Sequence, residues 1–131
     1  MTKFLTGLMK AAASTQSFII ACSDETTLLT TGTKVTWRSP YAFTITEVRA
    51  SLTTVATGST VIIDINESGT TILSTKITID ASESTSTTAA TPPVISDSAL
   101  ADDSEITIDI DQIGSSNAGK GLKVEIIGTV A

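Results

Sequence analysis

Short runs in which apolar and polar residues alternate recur along this chain, and the apolar positions are mostly Ile and Val. In the segment from 60 to 73, two such runs, Val61–Ile65 and Thr70–Leu73, flank the turn residues Asn66–Gly69. Branched side chains suit a pleated, half-buried surface. A glycine that ends a short polar loop supplies the positive φ of a hairpin turn. The segment therefore predicts a β-hairpin in the middle of an all-β domain.

Further runs of this kind predict the other strands, because turn residues separate them. They are Ser17–Ala21, Thr33–Trp37, Ala42–Leu52, Lys76–Asp80, Val94–Ile95, Glu105–Ile113 and Leu122–Val130. Many short strands with frequent turns indicate a sandwich or a barrel. Long connections between groups of strands favour a jelly roll over a meander. We predict an all-β fold, an antiparallel β-sandwich of jelly-roll type with a short N-terminal arm or helix.

Three details of these strands are also predicted. The apolar face changes side within Ala42–Leu52, so we expect a bulge or a bend near Glu47. The isoleucines of Ile106–Ile110 alternate with polar residues and should all face the core. The last strand, Leu122–Val130, is expected to pair with the Ile106–Ile110 strand across the glycine-rich turn Gly114–Gly121.

Two parts of the chain are predicted to lie outside the strands. Residues 1–16 form the arm that precedes a sandwich domain of residues 17–131, and Ala81–Thr91 is too rich in Ser and Thr to bury apolar surface. We expect Ala81–Thr91 to be a long surface connection. The arm has apolar residues near helical spacing and is either a frayed terminus or a segment that docks on a neighbouring subunit. The two large aromatic residues near Pro40 are core or interface anchors. Together they give the predicted interface residues Phe4, Leu5, Leu8, Met9, Trp37 and Tyr41.

Composition narrows the classes of function. The net charge is −6 and the pI about 4.4, which argues against nucleic-acid binding and against adhesion to anionic membranes. The chain has no His, the commonest general base and transition-metal ligand. Its single cysteine, Cys22, excludes an intrachain disulfide and follows an apolar run, so we expect a reduced, buried thiol.

No segment has the pattern of a targeting or membrane-spanning sequence. Thr6, Gly7 and Lys10 interrupt the apolar residues near the start, where a signal peptide needs an unbroken apolar run. No run approaches the length of a transmembrane helix. We expect a protein that stays in a cytoplasm or leaves it only inside a larger particle.

Two motifs that resemble sites of known chemistry also have simpler interpretations. Gly114–Lys120 fits the phosphate-binding pattern GxxxxGK, but Gly121 follows where Ser or Thr belongs, and a strand is expected where a helix is needed. We interpret it as a loop. The acidic residues Asp102, Asp103, Asp109 and Asp111 form either a solvated face or a weak calcium site. The prediction is therefore no catalytic residue, no cofactor and no metal ligand, with calcium left open.

Several stretches are similar to a known class of proteins. IIACSDETTLLTTGTKVTWRSPYAFTITEVRASL, GSTVIIDINESGTTILSTKITID, ADDSEITIDIDQIGS and GLKVEIIGT resemble small β-sandwich virion proteins of tailed bacteriophages, particularly phages of aquatic bacteria and cyanobacteria. The resemblance covers roughly Ile19 to Thr129. In such phages, similar modules are head decoration (cement) proteins or domains of tail fibres. The resemblance supplies no catalytic residues.

The resemblance implies a non-enzymatic capsid decoration protein that binds and stabilises the head shell. Its partners would be the major capsid protein or another virion protein and sister subunits in a homotrimer. It would be assembled in the host cytoplasm and located in the virion, without nucleic-acid or membrane contacts. The alternative is a tail or fibre module that binds a host-surface glycan or receptor. An enzyme is disfavoured because a chain without His offers no obvious nucleophile–base pair.

Overall fold

The computed structural model describes residues 14–131, and these residues form two facing β-sheets with one short 3-10 helix, Ser86–Thr88. The all-β prediction is therefore confirmed. The predicted arm residues Phe4, Leu5, Leu8 and Met9 lie outside the described residues. The strands are β1 (Thr15–Ala21), β2 (Gly32–Arg38), β3 (Phe43–Ser51), β4 (Val61–Glu67), β5 (Thr70–Thr71), β6 (Leu73–Thr75), β7 (Ile77–Ile79), β8 (Val94–Ile95), β9 (Ala99–Leu100), β10 (Glu105–Gln112) and β11 (Lys123–Val130).

The first four strands alternate between the two sheets, and β10 and β11 again lie in different sheets. The first sheet has the order β1-β11-β3-β9, and the second has the order β2-β10-β4-β5, with β7 also paired to β4. All these pairings are antiparallel, and β6 and β8 form a separate small ladder. This order, in which most connections cross between the sheets while β4, β5 and β7 stay in the second sheet, is that of a jelly roll. The predicted antiparallel sandwich of jelly-roll type is confirmed.

The core is aliphatic and fills the space between the sheets. Successive side chains of a strand point to opposite faces, so the alternating runs place every second residue inward. Ile106 and Ile108 of β10 are 0% exposed and Ile110 is 1% exposed, which confirms the prediction for this strand. Burying such a side chain stabilises the fold by about 1.5–3 kcal/mol. The sheets meet through these core residues: Ile45, Val48, Val61, Ile63, Ile65, Ile77, Ile79, Leu122, Val124 and Ile126.

The bulge predicted near Glu47 is present in β3. Glu47 pairs with Ile127, but the next residue of β11, Gly128, pairs with Ile45, so Thr46 is the extra residue. Its hydroxyl donates a hydrogen bond to the carbonyl oxygen of Ile127 at 3.2 Å. Because one residue is inserted, the inward face changes parity and both halves of β3 direct their apolar side chains to the core.

The predicted central hairpin is confirmed, with a tighter turn than expected. β4 extends to Glu67 and pairs with β5 around the two residues Ser68 and Gly69, whose φ values are +49° and +83°. Positive φ at both positions is typical of the I′ turns that match the twist of a hairpin. The second arm ends at Thr71, after which Ile72 enters the core and the chain pairs elsewhere as β6.

The pairing predicted for the last strand is wrong. β11 lies in the first sheet between β1 and β3, whereas β10 lies in the second sheet between β2 and β4. The intervening glycine-rich segment does not close a hairpin, because it crosses the end of the sandwich. It forms isolated bridges from Asn117 to Thr57 and from Lys120 to Thr54, which hold the crossing in place.

The connection Ala81–Thr91 has more structure than its composition predicts. It contains the 3-10 helix Ser86–Thr88, and Ser86 is buried. The Ser86 hydroxyl oxygen accepts a hydrogen bond from the backbone N–H of Ala50 at 2.9 Å. The segment is thus ordered by polar contacts with the edge of β3, which composition alone does not reveal.

Gly128 is the residue of β11 that the bulge requires. A Cβ atom at this position would lie 1.9 Å from the carbonyl oxygen of Thr44, a backbone atom that cannot move without disturbing the β3–β11 ladder. We predict that Gly128→Ala lowers the free energy of unfolding by about 3 kcal/mol, the upper end of the usual cost of overpacking, because the added atom meets backbone. Chemical denaturation followed by circular dichroism measures this.

Gly69→Ala is the control for that substitution. Its position has φ of +83° but no atom within 4 Å of the added Cβ, so only backbone strain opposes the change. A cost of about 1 kcal/mol is expected there. Equal costs at the two positions would show that the contact with Thr44 does not constrain β11.

Candidate interaction surface

The two aromatic residues predicted as core or interface anchors are half-buried at one side of the sandwich. There the edge strands of the two sheets, β1 and β2, face each other. Phe18 of β1 lies with its ring centroid 5.2 Å from that of Trp37, 6.0 Å from that of Tyr41 and 4.9 Å from that of Phe43. The Tyr41 hydroxyl donates to Oε1 of Gln16 at 2.9 Å. Trp37 and Tyr41 therefore pack against the core and close this side of the sandwich.

One polar atom of this aromatic cluster lacks a partner. The indole Nε1 of Trp37 is buried and has no hydrogen-bond partner within residues 14–131. A buried donor without an acceptor costs free energy. In the described part of the chain, the side of the sandwich where β1 and β2 meet thus contains a buried N–H group without a hydrogen-bond acceptor.

A groove of about 600 Å³ lies beside β3. Its floor is formed by the stretch Thr46–Arg49 that contains the bulge, and its opposite wall by the segment after the 3-10 helix. Val94 in that wall is 50% exposed. The wall and end residues are Ser86, Thr87, Ala89, Pro92, Pro93, Val94 and Ile95.

The groove lies where the edge of β3 loses its neighbouring strand. β9 is two residues long and pairs only with Phe43 and Thr44. At the other end of the groove, Ser51 forms a bridge with Thr85 and the N–H of Leu52 donates to the carbonyl oxygen of Ser84. Between these contacts, no strand of the described chain pairs with the outer edge of β3.

The main chain of Val48 faces this gap. In an antiparallel ladder, the N–H groups of alternate residues point to opposite sides of the strand. The N–H groups of Ala50 and Leu52 point away from β11, to Ser86 and Ser84. By alternation the N–H of Val48 points the same way, and within residues 14–131 no backbone group accepts from it. The groove therefore exposes part of a strand edge.

The polar groups at the groove are few and nearly balanced in charge. The Nε of Arg49 donates to Oε2 of Glu47, and this hydrogen bond holds the pKa of Glu47 below and that of Arg49 above its ordinary value. The wall contributes the apolar surface of Pro92, Pro93 and Val94. Such a site suits recognition of main-chain groups and small apolar side chains.

The acidic residues considered as a calcium site are partnered or apart. Asp109 accepts hydrogen bonds from the Thr33 hydroxyl at 2.7 Å and from Nδ2 of Asn66 at 2.9 Å. Asp111 accepts from Nζ of Lys76 at 2.5 Å, and this bond raises the pKa of the lysine. Within residues 14–131, no three carboxylate, thiolate or imidazole groups are placed to hold a metal ion.

The remaining acidic residues lie elsewhere. Asp102 and Asp103 are exposed in the turn between β9 and β10, where the Asp103 carbonyl oxygen accepts from Nη1 of Arg38 at 2.8 Å. Asp64 of β4, which the sequence analysis did not single out, is only 6% exposed and accepts from the Thr71 hydroxyl at 2.5 Å. These residues stabilise the second sheet and its turns.

The segment that resembles a phosphate-binding loop has the structure of a connection. Gly114–Lys120 leads into β11 and crosses the end of the sandwich. A Cβ on Gly114 would lie 2.0 Å from the carbonyl oxygen of Asn117, so the chain folds back tightly on itself. The interpretation as a loop agrees with this geometry.

Comparisons with protein-family models, with curated proteins and with solved structures return no match for this chain. None of the helical segments in residues 14–131 has the length and apolarity needed to cross a membrane.

The groove was missed by the sequence analysis. Two of its signals were visible: the change of apolar face near Glu47 and the pair Pro92 and Pro93, which cannot donate to a ladder. Neither signal indicates that β9 has only two residues. The length of β9 depends on where the chain leaves the edge of β3, which the local sequence does not specify.

Cys22 is free and 5% exposed, as expected for a buried thiol. Its Sγ lies 3.5 Å from the carbonyl oxygen of Ile20, and burial raises the pKa of the thiol to about 11. Because the thiolate is the reactive form, we predict that the folded chain reacts with a thiol reagent at pH 8 roughly a hundredfold more slowly than the unfolded chain. Absorbance during reaction with an aromatic disulfide, with and without denaturant, measures both rates. Similar rates would contradict the buried position.

Proposed function

We propose that this chain is a non-enzymatic structural protein of a tailed-bacteriophage virion that decorates the head shell. The resemblance of its sequence to small virion proteins supports this role. The jelly-roll order also supports it, because viral capsid domains often have this architecture. The site that makes the proposal specific is the groove at β3.

The single observation that carries the proposal is the open strand edge at Val48. An extended segment of a neighbouring protein adds to such an edge through main-chain hydrogen bonds, and pockets for its side chains give specificity. The groove offers an unpaired main-chain position, a volume of about 600 Å³ and an apolar wall containing Val94. We assign it as the binding site for an extended segment of the major capsid protein or of another shell protein.

The charge of the chain agrees with binding to a protein partner that has basic groups at its rim. The net charge of −6 attracts such a partner over a distance limited by salt screening. Shell binding should therefore weaken as the salt concentration rises. Within the groove the Glu47–Arg49 pair is nearly neutral, so the contact there depends on hydrogen bonds and shape.

The alternative, a tail or fibre module that binds a host-surface glycan, receives less support. Sugars stack on aromatic faces, and aromatic residues are absent from the described lining of the groove. The aromatic rings near Phe18 are instead packed against one another and the core.

Copy number in the virion tests the proposal. The chain and the major capsid protein are quantified by isotope-labelled mass spectrometry in purified particles of a phage that encodes this sequence. Decoration requires hundreds of copies per particle. A handful of copies would instead support the tail or fibre role, and absence from particles would contradict both.

A substitution in the wall of the groove tests where the shell binds. We predict that Val94→Lys weakens binding to shells stripped of this protein by roughly tenfold or more, because a charge then faces the apolar side of the docked segment. Leu28→Lys is the matched control, since Leu28 is 53% exposed and lies outside the groove. Co-sedimentation with shells measures both affinities. Equal binding by the two variants would exclude the groove as the contact.

A further inference from the structure

The first strand leaves an unusually bare edge on the first sheet. β1 pairs with β11 on one side over seven residues with no shift of register, and no strand in residues 14–131 pairs with its other side. Its sequence, TQSFIIA, contains neither a charged residue nor proline. Ile19 in its middle is 68% exposed, the highest value among the large hydrophobic residues described.

Apart from the gap beside Val48 of β3, the other sheet edges of the described chain have features that oppose pairing with another chain. β2, the neighbouring edge in the second sheet, has a register shift that leaves Lys34 as an extra residue, and it ends at Arg38. At the opposite side of the sandwich, β9 and β5 are each two residues long and β7 is three residues long. Short strands, bulges and charges are the means by which proteins prevent edges from pairing with other chains. β1 has none of them.

The groups that β1 presents can be assigned from one hydrogen bond. The N–H of Cys22 donates to the carbonyl oxygen of Leu122 at 2.9 Å, so the main-chain groups of Cys22 point toward β11. By alternation, Phe18 and Ile20 also bond to β11. The free N–H and carbonyl groups on the outer edge therefore belong to Thr15, Ser17, Ile19 and Ala21.

We propose that β1 pairs with β1 of a second copy of this chain, antiparallel and about a two-fold axis at Phe18. This pairing joins the two first sheets into one continuous sheet. It sets Ser17 opposite Ile19 of the partner subunit and Thr15 opposite Ala21 of the partner subunit. Every residue whose main-chain groups lie on the outer edge of β1 then has a hydrogen-bonding residue opposite it. A pairing centred on Ile19 would leave Thr15 without one.

A second copy is the occupant that fits this edge best. A strand without charges can lie against itself with no like charges opposed, although each chain has a net charge of −6. The pairing also places Ile19 diagonally across from the partner's Ile19 on the outer face, where side chains of this length meet. On the inner face it brings Phe18 next to the partner subunit's Phe18, which extends the aromatic cluster across the axis.

This inference does not depend on the proposed role in a virion, because it follows from the edge alone. It differs from the homotrimer implied by the sequence resemblance, since pairing about a two-fold axis gives dimers. The groove at β3 lies on the opposite side of the first sheet and stays accessible in the dimer.

The test is sedimentation of the full chain at micromolar concentrations. The dimer has twice the chain mass of 13.5 kDa. Ile19→Lys and Ile19→Glu should each weaken dimerisation by roughly tenfold or more, since each places like charges near each other. An equimolar mixture of the two variants should restore a dimer, because it pairs opposite charges. Ala99→Lys and Ala99→Glu, on the protected edge β9, are the controls and should leave the dimer unchanged.

Three results would overturn the inference. The first is a wild-type chain that stays monomeric. The second is a trimer, which no two-fold pairing produces. The third is a dimer that persists in both Ile19 variants, or that is lost in both without recovery on mixing while circular dichroism shows native sheets.

Discussion

The antiparallel pairing of β3 with β11 is the contact on which the rest of this structure depends. Thr46 is inserted opposite the Ile127–Gly128 step, so the two halves of β3 direct Ile45 and Val48 into the same core. Without the inserted residue, one half of the strand would direct its apolar side chains to solvent. Gly128 permits this arrangement because it has no side chain where the strands approach most closely.

The same bulge shapes the surface that we interpret as functional. It lies where β9 ends, so the outer edge of β3 continues for several residues without a neighbouring strand. Further along β3, Ser86 of the 3-10 helix accepts a hydrogen bond from the backbone N–H of Ala50. A jelly roll with a full-length strand at this position would have no groove. The open edge is therefore a consequence of where the chain leaves the sheet, and its polar main-chain groups favour an extended peptide as the partner.

The surface features of the described chain that can bind another protein are two unpaired strand edges, at β1 and at β3. The carboxylates of the described chain mostly accept hydrogen bonds from Thr, Asn, Lys or backbone groups, as Asp109 and Asp111 do. The one thiol, Cys22, is buried and has a raised pKa. Groups of this kind stabilise the fold. At an exposed backbone edge, in contrast, pairing with another chain is favourable because it satisfies main-chain groups.

Sequence reasoning predicted the local features of the fold and missed those that depend on chain crossings. Alternation along Ile106–Ile110 gave the buried face of β10, and the change of face near Glu47 gave the bulge, because both follow from the two-residue period of a strand. The partner of β11 was predicted wrongly, since a glycine-rich segment can close a hairpin or cross between sheets with similar composition. The groove and the bare edge of β1 could not be predicted, because each requires knowledge of which strand has no neighbour.

Residue-resolved amide hydrogen exchange of the full chain, alone and with head shells, tests most directly the claim that this protein acts through an open strand edge. In the free chain, the amide of Val48 should exchange much faster than those of Ala50 and Leu52, whose N–H groups donate to Ser86 and Ser84. Addition of shells should slow exchange at Val48 while Ala50 and Leu52 change little. Exchange at Val48 that is as slow as at its neighbours in the free chain, or that shells leave unchanged, would contradict the account.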